Sequence, residues 1–324
     1  MKQCLITGGA GFIGSHLADH LLEKGCRVQV IDDLSTGSMH NIVHLKDHPS
    51  FTYTIEDCQN RTLMAELVDQ ADEIYHLAAA VGVRLIVEDT ARTIHLNYAL
   101  TQIVLEMAAK KKKPVLFTSS SEVYGKSERL PYREAGDLLL GSSSRWRWAY
   151  ACSKLLDEFM VLSAHRTRGV PVVIVRLFNT VGPRQTGRYG MVIPNFVRQA
   201  LAGDPITVYG DGTQSRCFCH VKDVVPVFPE LLSDSRAHGS IFNVGSEEEI
   251  AIRDLAERVR GRLGSNSEIE TVPFEKAYNK GFEDMKRRVP SLEKVQSLSS
   301  FRPERDLNRI IDDVAADFRS RDGE

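Results

Sequence analysis

One stretch limits what this chain can fold into more than any other: Ile6 to Leu17, ITGGAGFIGSHL. An apolar run, CLIT, leads into it, and Ile13, Leu17, Leu21 and Leu22 continue at helical spacing. Gly9, Gly11 and Gly14 satisfy Gly-x-Gly-x-x-Gly, and Gly8, Gly11 and Gly14 satisfy Gly-x-x-Gly-x-x-Gly. Glycines permit the tight turn and let a ligand approach the backbone. A strand that turns at once into a helix aims free N–H groups and the positive helix end at one point, which suits a pyrophosphate.

The rest of the first half repeats this unit. Apolar runs at 4–8, 27–32, 51–57, 73–79, 114–120 and 170–179 alternate with helical patterns. One helix is expected over residues 11–24. Another follows Trp148 and carries Ala151, Leu155, Phe159 and Leu162 at helical spacing. Apolar strands alternating with helices make a parallel sheet covered on both faces. The expected fold class is α/β, a doubly wound parallel-sheet Rossmann domain with a smaller C-terminal region. Its 324 residues allow one large or two moderate domains. The alternation loosens after Asn179, where TVGPRQTGRYGMVIP reads as a loop, followed by a helix over NFVRQALAG and a strand over ITVYGDG. The expected division is a dinucleotide domain over 1–179, to which later segments return, and a mainly substrate-binding region over 180–324.

Asp32 ends the second strand, 18 residues past Gly14. A carboxylate there accepts hydrogen bonds from both ribose hydroxyls and repels a 2′-phosphate. The implied cofactor is NAD rather than NADP, held by Gly8, Gly11, Phe12, Ile13, Gly14 and Asp32.

Bulk properties exclude several other classes. A net charge of −2 argues against a nucleic-acid partner. No apolar run reaches the roughly 18 residues of a membrane span. The six cysteines form no Cys-x-x-Cys pair and the ten histidines no ligand spacing, so no metal site is expected. Free thiols and an N-terminus that enters structure at once fit a cytoplasmic protein.

A second stretch, LFTSSSEVYG (residues 116–125), ends an apolar strand in three hydroxyls, a carboxylate and a tyrosine. Farther on, YACSK places Tyr150 and Lys154 at i and i+4, on one helix face. A phenol beside an ammonium and a positive nicotinamide ring has its pKa lowered, and can take a proton from an alcohol as hydride leaves.

This order of motifs resembles the extended short-chain dehydrogenase/reductase family, in its nucleotide-sugar epimerase, dehydratase and decarboxylase branch. TGGAGFIGSHL, HLAA, SSSEVYG, YACSK, RLFNTVGPR, TVYGDGTQSR and FNVGS carry the resemblance over nearly the whole chain. It implies that Ser120 holds the sugar hydroxyl near Tyr150 and Lys154. It puts Asp57 at the adenine, Asn97 on the nicotinamide side, and Leu77, Ala78 and Ala79 beneath the cofactor. His76 is then a structural residue ending a buried strand. The nucleotide sugar is expected to meet Ser120, Ser121 and Asn179. Val208 and Tyr209 flank its base, Arg216 pairs with its diphosphate, and Asp284 and Arg288 close over it. Arg184 and Arg188 read as solvated loop charges, with an anionic sugar as the other option. The family also implies a homodimer joined through two helices per subunit, one carrying Tyr150.

Relatives diverge after oxidising sugar C4. Dehydratases show Thr-Asp-Glu where Ser120-Ser121-Glu122 stands, so the missing aspartate disfavours dehydration. Decarboxylases show Thr-Ser-Glu there, and DMKRRVP resembles them. They also carry a Pro-rich stretch after HLA, whereas HLAAAVGVRLIVED looks like the 4-epimerases. The leading expectation is a UDP-sugar 4-epimerase acting on UDP-glucose or UDP-glucuronate. UDP-glucuronate decarboxylase is the alternative, and a dTDP-sugar 4,6-dehydratase or a non-catalytic NAD-binding regulator ranks lower. Glu122, two residues past Ser120, is placed to protonate C5 or to steer the substrate.

Overall fold

The structure, a computed structural model, describes residues 1–80, 89–187, 191–273 and 285–321. The chain begins β1 (Gln3–Thr7), α1 (Phe12–Glu23), β2 (Arg27–Asp32), β3 (Phe51–Ile55), α2 (Arg61–Gln70) and β4 (Glu73–His76). It continues with α3 (Thr90–Lys111), β5 (Val115–Ser120), α4 (Trp148–Arg168) and β6 (Val172–Leu177). Next come β7 (Thr180–Val181), α5 (Val192–Ala202), β8 (Ile206–Tyr209), β9 (Ser215–Cys217), β10 (Cys219–His220), α6 (Val221–Val224) and α7 (Val227–Ser233). β11 (Ser240–Val244), β12 (Glu249–Ala251), α8 (Ile252–Leu263), β13 (Ile269–Val272), α9 (Glu293–Leu298) and α10 (Leu307–Arg321) complete it.

Seven strands form one parallel sheet in the order β3-β2-β1-β4-β5-β6-β11. The winding reverses between β1 and β4, which opens a crevice at their carboxyl ends, the ligand position of doubly wound sheets. β11 is a late segment that rejoins the sheet, with Asn243 opposite Arg176 of β6. The apolar runs overshoot the ladders. β4 stops at His76 and β3 at Ile55, so Leu77–Ala79 and Asp57 leave the sheet at the crevice rim.

One sheet face packs Leu17, Leu21, Phe228 and Leu231 against Val28, Val30, Val173 and Val175. The other packs Met64, Leu67, Val104 and Val161 against Leu5, Ile74, Phe117 and Ile174. α3 and α4 carry lysine or arginine in their last turns, where cations meet the negative helix end. That places the run Lys110–Lys113 at a helix terminus. A separate core joins α5, α8 and α10 through Phe196, Val197, Leu255, Val259, Ile310 and Val314. α5 starts inside the expected loop because Pro194 falls in its first turn, where a missing N–H breaks no helical bond. Among the described residues, no helix is long and apolar enough to cross a membrane, and no group of three His, Cys, Asp or Glu could hold a metal.

Candidate active site

The glycine turn packs so closely on itself and on the segment just after β4 that side chains are excluded. Gly8 has φ +72°, and a Cβ there would lie 2.7 Å from the Ala78 nitrogen. A Cβ on Gly14 would lie 2.3 Å from the Gly8 carbonyl oxygen. Gly11 is the N-cap of α1, and no side chain caps that end. Phe12 and Ile13 form the first turn of the helix. Asp32 is buried at the end of β2 and accepts from the amides of Ala10 at 2.9 Å and Leu34 at 2.8 Å. Burial raises its pKa and those amides oppose the rise. A side-chain-free cradle, an open helix N-terminus and a carboxylate at the next strand end fit NAD.

Asp57 takes part in its own turn, accepting from the Gln59 amide at 2.7 Å and the Gln59 side chain at 3.0 Å. Asn97 is buried in α3. Its oxygen accepts from the Ala80 amide at 2.8 Å and its nitrogen donates to Ser153 Oγ at 3.2 Å, tying the segment after β4 to α4. Leu77, Ala78 and Ala79 are half-buried, and the Ala78 amide donates to Thr7 Oγ1 at 3.2 Å. His76 is a structural residue: its ring lies 2.7 Å from Thr7 Oγ1, and burial and Lys154 lower its pKa to about 3.

The three hydroxyls ending β5 have three different partners. Ser119 donates to Glu158 Oε1 at 2.6 Å, and Arg176 grips that carboxylate at 2.9 and 2.7 Å. Ser120 accepts from the Glu122 amide at 3.2 Å, and its hydroxyl acts to lower the Tyr150 pKa. Ser121 is buried 3.3 Å from Arg288 Nη1. Lys154, one turn after Tyr150, is buried with its ammonium 4.2 Å from the Phe117 ring centre. Sequence reasoning expects a lowered phenol pKa at Tyr150. The structure holds it above its ordinary value, through burial first and then the Glu122 and Asp157 carboxylates.

Glu122 stands between two guanidiniums. Arg147 Nη1 bonds its Oε2, and Arg288 Nη2 reaches its Oε1 at 2.6 Å. Burial alone would raise its pKa, but Arg147, Arg288 and the more remote Arg216 hold it well below the usual carboxylate range. An ionised Glu122 accepts hydrogen bonds and has no proton to give. Sequence reasoning missed Arg147, although its position three residues before Tyr150, one helical turn away, was the available signal.

Asn179 sits 3.5 Å from Arg288 Nη1 through its side-chain oxygen, and its nitrogen donates to the Cys217 carbonyl at 2.8 Å. Arg216 is buried, donating to the carbonyls of Ser215 and Met285 at 2.8 Å each. In β8, Val208 points into the C-terminal core while Tyr209 is 38% exposed. Arg184 is not a free loop charge: it donates to Asp19 Oδ2 at 2.8 Å and so ties its loop to α1. Asp284 and Arg188 lie outside the described residues.

The model of the NAD dependent epimerase/dehydratase family matches residues 4–245. A UDP-N-acetyl-alpha-D-glucosaminuronate decarboxylase from Bacillus cytotoxicus is 43% identical over 304 residues, 93% of each chain. UDP-glucuronic acid decarboxylase 1 from Arabidopsis thaliana is 34% identical over 98% of this chain and 70% of its own length. The structure also superimposes on a UDP-N-acetylglucosamine 4-epimerase from Methanobrevibacter ruminantium M1, with a TM-score of 0.87, 29% identity and 99% of each chain covered. The sequence relatives favour the decarboxylase alternative over the leading 4-epimerase expectation, and epimerases stand among the structural neighbours at lower identity. The glycine cradle, Asp32 and the Ser120–Tyr150–Lys154 group are set on a sheet shared with these proteins, and the chain belongs to the NAD-dependent epimerase/dehydratase family.

Proposed function

We propose that this protein is an NAD-dependent decarboxylase of a UDP-linked uronic acid. The observation that carries this reading is the pair Arg147 and Arg288, buried on either side of Glu122 and two residues from Ser120. A neutral hexose needs no such pair. A uronate carboxylate does, because guanidinium forks match carboxylate oxygens and act strongly where water is excluded. Similarity to decarboxylases of UDP-glucuronate and UDP-N-acetylglucosaminuronate points to the same substrate class.

With NAD bound to take and return a hydride at sugar C4, the residues do acid–base and electrostatic work. Ser120 holds the C4 hydroxyl and Tyr150 takes its proton, helped by the Lys154 ammonium. The C5 carboxylate is then β to a ketone. Arg288 and Arg147 orient it, the C5–carboxyl bond breaks, and its electron pair passes into the C4 enolate. One proton adds to C5, and Tyr150 returns its own as C4 is reduced. The balance is uronate plus one proton giving pentose plus CO₂, with no net use of NAD. Glu122 spaces and aims the two guanidiniums.

Arg216, Asn179 and Tyr209 are assigned to the nucleotide and diphosphate, and the chain beyond residue 180 mainly to nucleotide-sugar binding. A second copy is assigned to the outer face of α3 and α4, where Tyr98, Leu156 and Phe159 are exposed. A cytoplasmic setting agrees with six unpaired cysteines. The test is incubation with UDP-glucuronate and with UDP-N-acetylglucosaminuronate, following CO₂ and the UDP-pentose product. Stoichiometric CO₂ from either without NADH accumulation is the expected result. A C4 epimer formed without CO₂ would instead install the 4-epimerase reading.

A further inference from the structure

Two acidic residues follow one another in α4, and only one is satisfied structurally. Glu158 receives Ser119 and a two-pronged Arg176. Asp157 is fully buried, yet neither of its oxygens accepts a hydrogen bond of normal geometry among the described residues. The polar groups facing it are the Lys154 ammonium, 3.9 Å from Oδ2, and the Thr101 hydroxyl of α3. An unsatisfied buried carboxylate is costly and is not explained by packing. Its place, one turn along the helix from Lys154, offers an explanation.

We propose that Asp157 is a positioning residue: a buried counter-ion that keeps Lys154 charged and so sets the pH range over which Tyr150 works. This rests on the assignment of Tyr150 and Lys154 to the acid–base step. Burial lowers the pKa of Lys154, while Asp157 and then Glu158 raise it. Glu158 is already bonded to Arg176, which leaves Asp157 as the carboxylate free to support the ammonium. Asp157 is itself pushed up to about 6 by burial, against the pull of Lys154 and Thr101. The other titratable groups around it are Tyr150 on its own helix and His76 of β4, whose Nε2 is 3.4 Å from the Thr101 hydroxyl. His76 stays neutral down to about pH 3 and adds no charge in the working range. Glu122 also acts on Tyr150 and stays ionised throughout.

The test compares Asp157→Asn with the parent protein. Their pH–rate profiles should coincide below about pH 6, where the parent's Asp157 is protonated, and separate above it. The alkaline limb of the variant should fall at least about one pH unit earlier, the scale of one nearby charge. A merely structural residue would lower activity equally at every pH. A second readout needs no turnover. In protein carrying ¹³Cε-labelled lysine, with the Lys154 resonance assigned by its loss in Lys154→Arg, the Lys154 pKa should drop by a similar amount. Asp157→Ser carries both measurements if the asparagine variant does not fold. Parallel profiles and an unchanged Lys154 pKa overturn the inference. If Tyr150→Phe keeps parent turnover, the acid–base assignment fails and takes this inference with it. An inactive Tyr150→Phe with parallel Asp157→Asn profiles sinks the inference alone.

Discussion

Replacing Arg288 by leucine separates two roles that the geometry and the sequence assign to it. The guanidinium is buried, 2.6 Å from Glu122 Oε1, 3.3 Å from Ser121 Oγ and 3.5 Å from the Asn179 side-chain oxygen. In the proposed reaction it grips the C5 carboxylate; by family resemblance it closes over the nucleotide. Truncating one partner of a desolvated, hydrogen-bonded charge pair costs about 2–5 kcal/mol. At about 1.36 kcal/mol per decade, kcat/KM for a UDP-uronate should fall about 30- to 5000-fold. Most of the loss belongs in KM, because the carboxylate is gripped in the ground state and its charge leaves that position as CO₂ forms. Glu122 keeps Arg147, so the fold should survive. Product chromatography over a substrate series yields kcat and KM, and calorimetry with UDP, which has no carboxylate, reads the nucleotide contact. The expected outcome is UDP affinity within about threefold of the parent, within the scatter that small context effects produce. A loss of UDP affinity as large as the loss in kcat/KM would refute the carboxylate role and return Arg288 to the nucleotide.

Three further outcomes are expected. Asp32→Ala should narrow the preference for NAD over NADP, measured by calorimetry with each dinucleotide, and a parent protein that prefers NADP would contradict the reading of that carboxylate. Tyr150→Phe should lower turnover by about 10²–10⁴ while NAD binding persists, and near-parent rates would remove Tyr150 from the chemistry. Stability should fall as pH drops from about 6.5 toward 4. His76 and His16 are held neutral by burial, with pKa values lowered to about 3 and about 4. A depressed base binds its proton more weakly folded than unfolded, so its contribution is complete above the ordinary pKa of 6.5 and is lost below it. Asp157, raised to about 6, works in the opposite direction between about pH 4 and 6. His220, lowered to about 4 by burial, acts in the same direction as these two histidines, so the acid is outweighed and each uncompensated proton adds roughly 1.4 kcal/mol per pH unit to the slope. Urea midpoints at pH 7, 6 and 5 measure it, and a flat series would show that these rings are not buried neutral.

The amino-acid sequence by itself determined the parts that depend on neighbours along the chain. Glycine spacing after an apolar run specifies the strand–turn–helix at residues 3–23, and Asp32 closes the same unit from the next strand. Alternating apolar runs specify the parallel sheet, since every strand it buries must be apolar on both faces. Tyr150 and Lys154 share a helix face because the helix repeats every 3.6 residues. Strand ends were less legible: the apolar run at 73–79 continues past the last ladder residue, His76, and Leu77–Ala79 leave the sheet half-buried at the crevice. Tertiary structure alone decided the electrostatics. Glu122 meets Arg147 across 25 residues and Arg288 across 166, and no local pattern links them. Asp157 is one helical turn from Lys154 in any helix, yet only the packing of α3 and β5 over that turn removes water from both and lets the pair govern each other's charge. Hydrophobic periodicity is written in short-range spacing, whereas the strength of a charge pair depends on burial and on partners that the fold brings from far along the chain.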